Sequence, residues 1–160
     1  MDYHQRKNSN RGYRQLTVWQ DAIRYYALTW EVFRSFPVTL QRVASQQVAS
    51  ADAVHRNVAE GYCRRSLKEY LQFLNVGLAS VGGSVSGLHA CRQARQMSEA
   101  DFERLDTAAW RLENGLRMLI QRLQWKKEED DWEDGLVIHE SNTAYRVGNQ
   151  DDYTIPSTGT

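Results

Sequence analysis

Apolar residues recur at intervals of three and four through most of the chain, which is the spacing of one face of an α-helix. The most regular series predicts a helix that starts after Ser98 and ends near Lys127. Its members are Phe102, Leu105, Ala109, Leu112, Leu116, Leu119 and Leu123. Because such a series forms a seam between packed helices, it indicates an all-α helical bundle.

The first helix is predicted from Leu16 to Phe36, with Pro37 ending it. One apolar face is expected to pack in the core and comprises Trp19, Ile23, Tyr26, Trp30 and Phe33. A second apolar stripe lies well away from this face and comprises Tyr25, Leu28 and Val32. A single core contact does not require so much apolar surface. We therefore interpret the second stripe as an oligomer interface, with isolated surface hydrophobic residues as the alternative.

Two further helices are predicted in the middle of the chain. Helix two should run over about residues 40–60 with Thr39 as its cap, and helix three from just after Ser66 to about Arg95. Helix three carries a stripe of small residues, which are Gly77, Ser80, Gly83, Ser84 and Gly87. Each interior glycine costs about 1 kcal/mol relative to alanine. The stripe therefore indicates close packing of another helix, with a bend at Gly82 and Gly83 as the alternative.

The segment between helices two and three combines a predicted helix stop with a predicted helix start. Gly61 suits the left-handed conformation that closes a helix. Ser66 and Glu69 form a capping box, which satisfies amide groups at the start of helix three. Arg64 and Arg65 are therefore predicted at the tip of a helical hairpin, where guanidinium groups can hold an anion.

Basic residues project beside the seam of the predicted fourth helix. At about 100° per residue, Arg104, Arg111 and Arg122 point in nearly one direction, with Lys126 close by. These residues are candidate phosphate contacts, with an ordinary solvated face as the alternative. Trp110 points away from the seam and is a candidate aromatic residue of an oligomer interface.

The formal net charge of zero hides a strong asymmetry along the chain. Residues 1–127 hold 19 Lys and Arg against 11 Asp and Glu, a balance of +8, whereas residues 128–160 hold 1 against 9, a balance of −8. We predict a flexible basic arm over residues 1–15, a bundle over residues 16–127 and an acidic, largely irregular tail over residues 128–160. The basic body suggests a polyanionic partner, with the tail as competitor, shield or separate docking segment.

The sequence offers no constellation of catalytic or metal-ligating residues. Its four histidines match no metal-ligand spacing, and neither a metal nor a cofactor is predicted. Cys63 and Cys91 should lie too far apart for a disulfide, as free thiols in a reducing compartment. No apolar run approaches the ~18 residues of a membrane span, and the amino terminus lacks a secretory signal. We expect a cytoplasmic protein that is not an enzyme and has no membrane partner.

Several motifs together carry a resemblance to one known family. They begin with Leu-Thr-Val-Trp-Gln-Asp-Ala at residues 16–22 and include Phe-Pro at residues 36–37. The strongest are Asn-Val-Ala-Glu-Gly at residues 57–61 and Arg-Ser-Leu-Lys-Glu-Tyr-Leu-Gln-Phe-Leu at residues 65–74, followed by Gly-Leu-Ala-Ser at residues 77–80. Over about residues 16–125 the chain resembles the 23S rRNA-intervening-sequence protein family, also called the four-helix bundle protein family. These motifs are structural signatures rather than catalytic ones.

The resemblance implies an antiparallel up-down four-helix bundle that assembles as a ring-like homopentamer with a basic surface. One branch of the family is encoded within inserts in ribosomal RNA genes. A more distant branch, the accessory variability determinants of diversity-generating retroelements, binds nucleic acid and a reverse transcriptase. The chain departs from the family around residues 48–52, where a paired arginine and alanine are often seen, and in its acidic tail. The tail suggests a lineage-specific partner.

Together these features predict a non-enzymatic, oligomeric RNA- or DNA-binding accessory protein that partners the reverse transcriptase of a diversity-generating retroelement. The predicted phosphate contacts are Arg64, Arg65, Lys68, Arg104, Arg111, Arg122, Lys126 and Lys127. Two alternatives stay open. One is a protein of the rRNA intervening-sequence type, and the other is a scaffold that binds only protein.

Overall fold

A computed structural model describes residues 9–129 and contains four α-helices and no strand within that range. The helices are α1 (Thr17–Phe33), α2 (Gln41–Tyr62), α3 (Leu67–Gln93) and α4 (Glu99–Glu129), with short 3-10 helices at Ser9–Gln15 and Val38–Leu40. This architecture confirms the predicted all-α class. Residues 1–8 of the predicted arm and residues 130–160 of the predicted tail lie outside the described residues.

Each helix of the bundle runs antiparallel to its two neighbours. Gly61 near the end of α2 faces Phe73 early in α3, whereas Gly87 late in α3 faces Gln47 early in α2. Ion pairs between α1 and α4 follow the same reversed order. Contacts between α1 and α2, α2 and α3, α3 and α4, and α4 and α1 close the bundle.

The core lies between the four helices, and α4 supplies its longest series of aliphatic side chains. All seven residues of the predicted seam are buried, from Phe102 to Leu123. They belong to one hydrophobic cluster with residues of the other three helices. The seam prediction is confirmed, because a spacing of three and four keeps these side chains on one face of the helix.

Both apolar stripes of α1 contribute to the core, with Phe33 buried and Trp19 and Tyr26 packed against it as predicted. Tyr25 and Val32, predicted at an oligomer interface, are buried in the core, and Leu28 is half-buried against it. Trp30, predicted in the core, is 51% exposed. The pattern misled because α1 carries apolar residues on both sides. The buried side also contains polar Thr29, whose hydroxyl donates to the Tyr25 carbonyl oxygen at 2.7 Å.

A chain of hydrogen bonds crosses the apolar core and joins three helices. The Tyr25 hydroxyl of α1 donates to Ser84 Oγ of α3 at 2.6 Å, and Ser84 in turn donates to Gln47 Oε1 of α2 at 3.2 Å. Burial raises the pKa of the Tyr25 phenol, which keeps the donor protonated. Gly87 leaves space for this arrangement, because a Cβ there would overlap the Gln47 amide group.

Gly61 lies inside α2 rather than closing it, so the predicted left-handed stop at this position is wrong. A Cβ at Gly61 would lie 2.8 Å from the Cβ of Phe73 and 2.9 Å from Cδ2 of Tyr70. The missing side chain therefore permits close approach of α3. The left-handed conformation occurs instead at Arg95, just beyond α3, with a φ of 57°.

The small residues of α3 serve different purposes along the helix. A Cβ at Gly77 would lie 3.5 Å from the Cβ of Asn57, so α2 and α3 pack closely here as predicted. In contrast, a Cβ at Gly82 or Gly83 would meet no heavy atom within 4 Å. Close packing therefore explains only part of the predicted stripe.

The predicted cap of helix three is confirmed, whereas that of helix two is wrong. Ser66 Oγ accepts a hydrogen bond from the Glu69 amide at 3.1 Å. Thr39 instead lies within the short 3-10 helix, and the residue before α2 makes no side-chain cap.

Residues 9–15, which were predicted as part of a flexible arm, form a 3-10 helix. The Tyr13 ring packs edge-on against Trp19 at 5.5 Å between centroids and against Tyr62 at 6.1 Å. These contacts attach the segment to α1 and α2.

Candidate nucleic-acid interface

The turn between α2 and α3 lies at one end of the bundle and carries two exposed arginines. Arg64 is held from two sides, since its Nη1 lies 3.9 Å from Glu69 Oε1 and its guanidinium carbon lies 4.7 Å from the Phe73 ring centroid. Arg65 and Lys68 are exposed and form no ion pair or hydrogen bond with any other residue that the structure describes. Both cations are therefore available to an anion.

The last turns of α4 lie at the same end of the bundle. α3 and α4 are antiparallel, and Arg92 Nε donates to Glu99 Oε1 at 2.9 Å near their connection. Counting back along α3 and forward along α4 from this pair places residue 127 level with the α2–α3 turn. Lys127 is exposed there and has no ion pair within residues 9–129, whereas Lys126 is half-buried. We call this cluster the basic end, which comprises Arg64, Arg65, Lys68, Lys126 and Lys127.

The predicted basic stripe along α4 is interrupted at Arg104. Its Nη2 lies 3.3 Å from Glu31 Oε1, and its Nη1 lies 3.3 Å from Asp101 Oδ1. Two carboxylates thus surround one guanidinium group, which leaves this site with a net negative charge. At about 1.5 Å per residue, Arg104 is also roughly 33 Å from Lys126 along the helix. Arg104 is therefore not part of the basic end, because it is far from it and its own surroundings are negatively charged.

Arg111 belongs to a cluster with the opposite balance. Asp21 is buried and accepts from Arg24 Nη1 at 3.0 Å and from Arg111 Nε at 3.1 Å. One carboxylate serves two arginines, so the cluster has a net charge of +1. The contact through Nε orients the Arg111 guanidinium group and leaves its terminal amino groups for an anion. Arg122, the remaining member of the predicted stripe, is half-buried.

Large apolar residues on the outer face of α4 form a feature that sequence reasoning found only in part. Trp110 is 67% exposed, Trp125 is 57% exposed and Met118 is 40% exposed. The role of Trp110 in an oligomer interface stays a prediction. A signal for the other two was present, because both fall outside the buried seam of the same helix.

A shallow groove of about 660 Å³ lies between α1 and α2. Its lining includes the exposed side chains of Trp30 and Val38. On its rim, Asp52 accepts hydrogen bonds from Arg56 and, at 2.9 Å, from His55 Nε2. His55 is thus held in a side-chain network. The groove offers apolar surface with a charged edge.

Two other kinds of site have no candidate within residues 9–129. No three histidine, cysteine or acidic side chains in this range are grouped as metal ligands. No helix in it is both long enough and apolar enough to cross a membrane.

Comparison with known proteins identifies the family of the chain. Residues 14–118 match the model of the family described as 23S rRNA-intervening sequence protein. No curated protein matches the chain. The matched range includes α1, α2, α3 and most of α4, together with the motifs on which the resemblance rests. Because this match spans well over half of the 160 residues, the chain belongs to the 23S rRNA-intervening sequence protein family.

Proposed function

We propose that the protein is a non-enzymatic accessory protein that binds RNA or DNA through its basic end. The observation that carries the proposal is the exposure of Arg65, Lys68 and Lys127 at one end of the bundle, without ion pairs to other described residues. Such cations attract a polyanion and displace its counterions on binding. Contacts of this kind give affinity with little sequence preference, which suits an accessory role.

Two further facts support a nucleic acid as the anion. The family to which the chain belongs takes its name from ribosomal RNA. The bundle with its arm holds 19 basic against 11 acidic residues, so long-range attraction favours an extended polyanion over a small anion.

A salt series tests the basic end directly. Anisotropy of a fluorescein-labelled RNA of mixed sequence would give the affinity of the full-length protein at each salt concentration. For a single strand, each phosphate contact contributes about 0.7 to the slope of log K against log salt. The double variant Arg65→Gln/Lys68→Gln should therefore weaken binding and reduce the slope by about 1.4.

A matched control removes two charges elsewhere. Arg34 follows α1 and Arg42 is the second residue of α2, so both lie at the opposite end of the bundle, and both are exposed. Arg34→Gln/Arg42→Gln should leave the slope nearly unchanged. Equal losses in the two double variants would contradict binding at the basic end. Absence of RNA binding by the wild-type protein at low salt would refute a nucleic-acid function.

We also propose a ring-like homopentamer, on the basis of the family resemblance. Sedimentation equilibrium tests this proposal, because the pentamer would have five times the protomer mass of 18.5 kDa. A monomer near 18.5 kDa would refute it.

For the protein partner, we propose the reverse transcriptase of a diversity-generating retroelement. The charge distribution along the sequence supports this proposal. A basic body can bind RNA while an acidic tail binds a protein, as expected in a complex that contains both. A reverse-transcriptase gene and template repeat beside the coding sequence would support it. Location within an rRNA operon would instead favour the rRNA intervening-sequence type, which the family match also supports.

A protein-binding scaffold is the second candidate, and the groove between α1 and α2 favours it. Its apolar lining, with Trp30 and Val38 exposed, is suited to a partner side chain or helix. Co-purification of a protein partner without RNA retention would support the scaffold.

A further inference from the structure

The outer face of α4 exposes large apolar side chains although the seam on its other side already supplies the core. Trp110, Met118 and Trp125 are the exposed members. A helix turns about 100° and rises about 1.5 Å per residue, so the three lie within about 80° of one another and span roughly 22 Å. We call this surface the tryptophan face.

A basic residue lies on the tryptophan face between its two indole rings. Arg117 lies about two turns from Trp110 in nearly the same direction. It is exposed and forms no ion pair or hydrogen bond within the described part of the chain. Between residues 107 and 125 the one acidic residue is Glu113, which is half-buried. The exposed carboxylates of α4 on this side lie outside that interval, at Glu103, about two turns before Trp110, and at Glu128, three residues after Trp125.

Arg111 adds a second, oriented cation at the edge of the tryptophan face. Its guanidinium group is fixed through Nε by buried Asp21, and the cluster that includes Arg24 has a net charge of +1. The terminal amino groups of Arg111 can therefore bind a phosphate without first giving up this ion pair.

Exposed indole rings next to available guanidinium groups match the chemistry of single-stranded nucleic acid. Bases stack on aromatic rings irrespective of sequence, while arginines bind the intervening phosphates. In a duplex the base faces are covered by their neighbours, so an exposed indole cannot stack on them. Contact between two copies through this same face would bring their arginines together, which is unfavourable.

We propose that the tryptophan face binds unpaired bases of a single-stranded nucleic acid through Trp110 and Trp125, with Arg117 contacting phosphate. The inference rests on the proposed nucleic-acid function and names its substrate class. It assigns Trp110 to a base contact in place of the subunit contact predicted from the sequence.

The test compares the full-length wild-type protein with the double variant Trp110→Ala/Trp125→Ala. One probe is a labelled oligouridine of about 12 nucleotides, and the other is an RNA duplex of the same length. Loss of two stacking contacts should weaken oligouridine binding by at least about 30-fold. The salt slope and the affinity for the duplex should stay as in the wild type, because the phosphate contacts are retained.

Trp30→Ala is the matched control, because Trp30 is also about half exposed but lies on α1 at the groove against α2. It should bind oligouridine like the wild type. Unchanged oligouridine affinity in the double variant, or an equal loss for the duplex, would overturn the inference while leaving the basic end in place. A changed sedimentation coefficient of the free double variant would also overturn it, since the face would then be a subunit contact. No binding of either RNA by the wild type would overturn the proposed function together with the inference.

Discussion

Replacing Gly61 with alanine should destabilise the protein, although glycine is a poor residue inside a helix. Alanine is favoured over glycine at such positions by about 1 kcal/mol. Against this gain, the added methyl group would lie 2.8 Å from the Cβ of Phe73, 2.9 Å from Cδ2 of Tyr70 and 3.2 Å from the Tyr70 carbonyl oxygen. A Cβ and a carbonyl oxygen move only with the backbone. Relief of the overlap therefore requires α3 to shift away from α2.

The size of the effect follows from the opposition of these two contributions. Overpacking costs about 1–3 kcal/mol, and immobile neighbours favour the upper end of that range. Subtracting the helix-propensity gain leaves a net loss of about 2 kcal/mol. For a chain of this length, such a loss lowers Tm by about 4–8 °C. Urea unfolding followed by far-ultraviolet circular dichroism would measure the free energy at several protein concentrations, which separates unfolding from subunit dissociation.

Gly82→Ala is the matched control for this experiment. Gly82 is also interior to a helix, but a Cβ there meets no heavy atom within 4 Å. The substitution should therefore stabilise the protein by up to about 1 kcal/mol. If Gly61→Ala were as stable as the wild type, or more stable like the expected Gly82→Ala, the close approach of α2 and α3 at Gly61 would be refuted.

Two further predictions concern individual hydrogen bonds. Tyr25→Phe should lower the free energy of unfolding by about 1 kcal/mol, because the bond to Ser84 is lost while the ring remains, and unchanged urea unfolding would contradict it. Burial alone would raise the pKa of Asp52, but hydrogen bonds from Arg56 and His55 hold it below the ordinary value of 3.8. Ionised Asp52 therefore stabilises the folded state. This stabilisation is complete above the unfolded-state pKa of Asp52 and is lost as the pH falls through its lower folded-state pKa. Asp52→Asn should therefore flatten the acid-unfolding curve in this range, and a curve identical to that of the wild type would argue against the network.

The fourth helix could be predicted almost completely because its signals are local. Its seven seam residues follow one spacing, and every one is buried. The Ser66 cap of α3 is local in the same sense, since donor and acceptor lie three residues apart. Such features depend on backbone geometry and need no knowledge of the neighbouring helices.

The errors at α1 and Gly61 arise from contacts between residues distant in sequence. The Tyr25 hydroxyl is satisfied inside the core by Ser84, which is 59 residues away in the sequence. Hydropathy alone cannot reveal that partner. At Gly61, a helix stop and a close helix contact favour the same residue type, and only the position of α3 distinguishes them.

In the candidate interface too, the position of a residue on its helix could be predicted from the sequence, whereas its neighbours on other helices could not. From the sequence, Arg104 and Arg111 cannot be distinguished as phosphate contacts, because both project beside the seam of the same helix. Their charge environments nevertheless differ, since Glu31 approaches one and Asp21 the other from α1. The exposed Arg65 could be placed at the hairpin tip from the sequence, whereas its alignment with the end of α4 required the packing of the bundle.

The hydrogen-bonded chain of Tyr25, Ser84 and Gln47 also constrains how this core can change during evolution. Loss of one member leaves a neighbour buried with an unmet hydrogen-bonding group, whereas replacement of all three by apolar residues removes that penalty. Gly87 is tied to the same set, because its missing side chain accommodates the glutamine. Single substitutions at these positions should therefore be disfavoured in relatives, and the four residues should be inherited or replaced as a group.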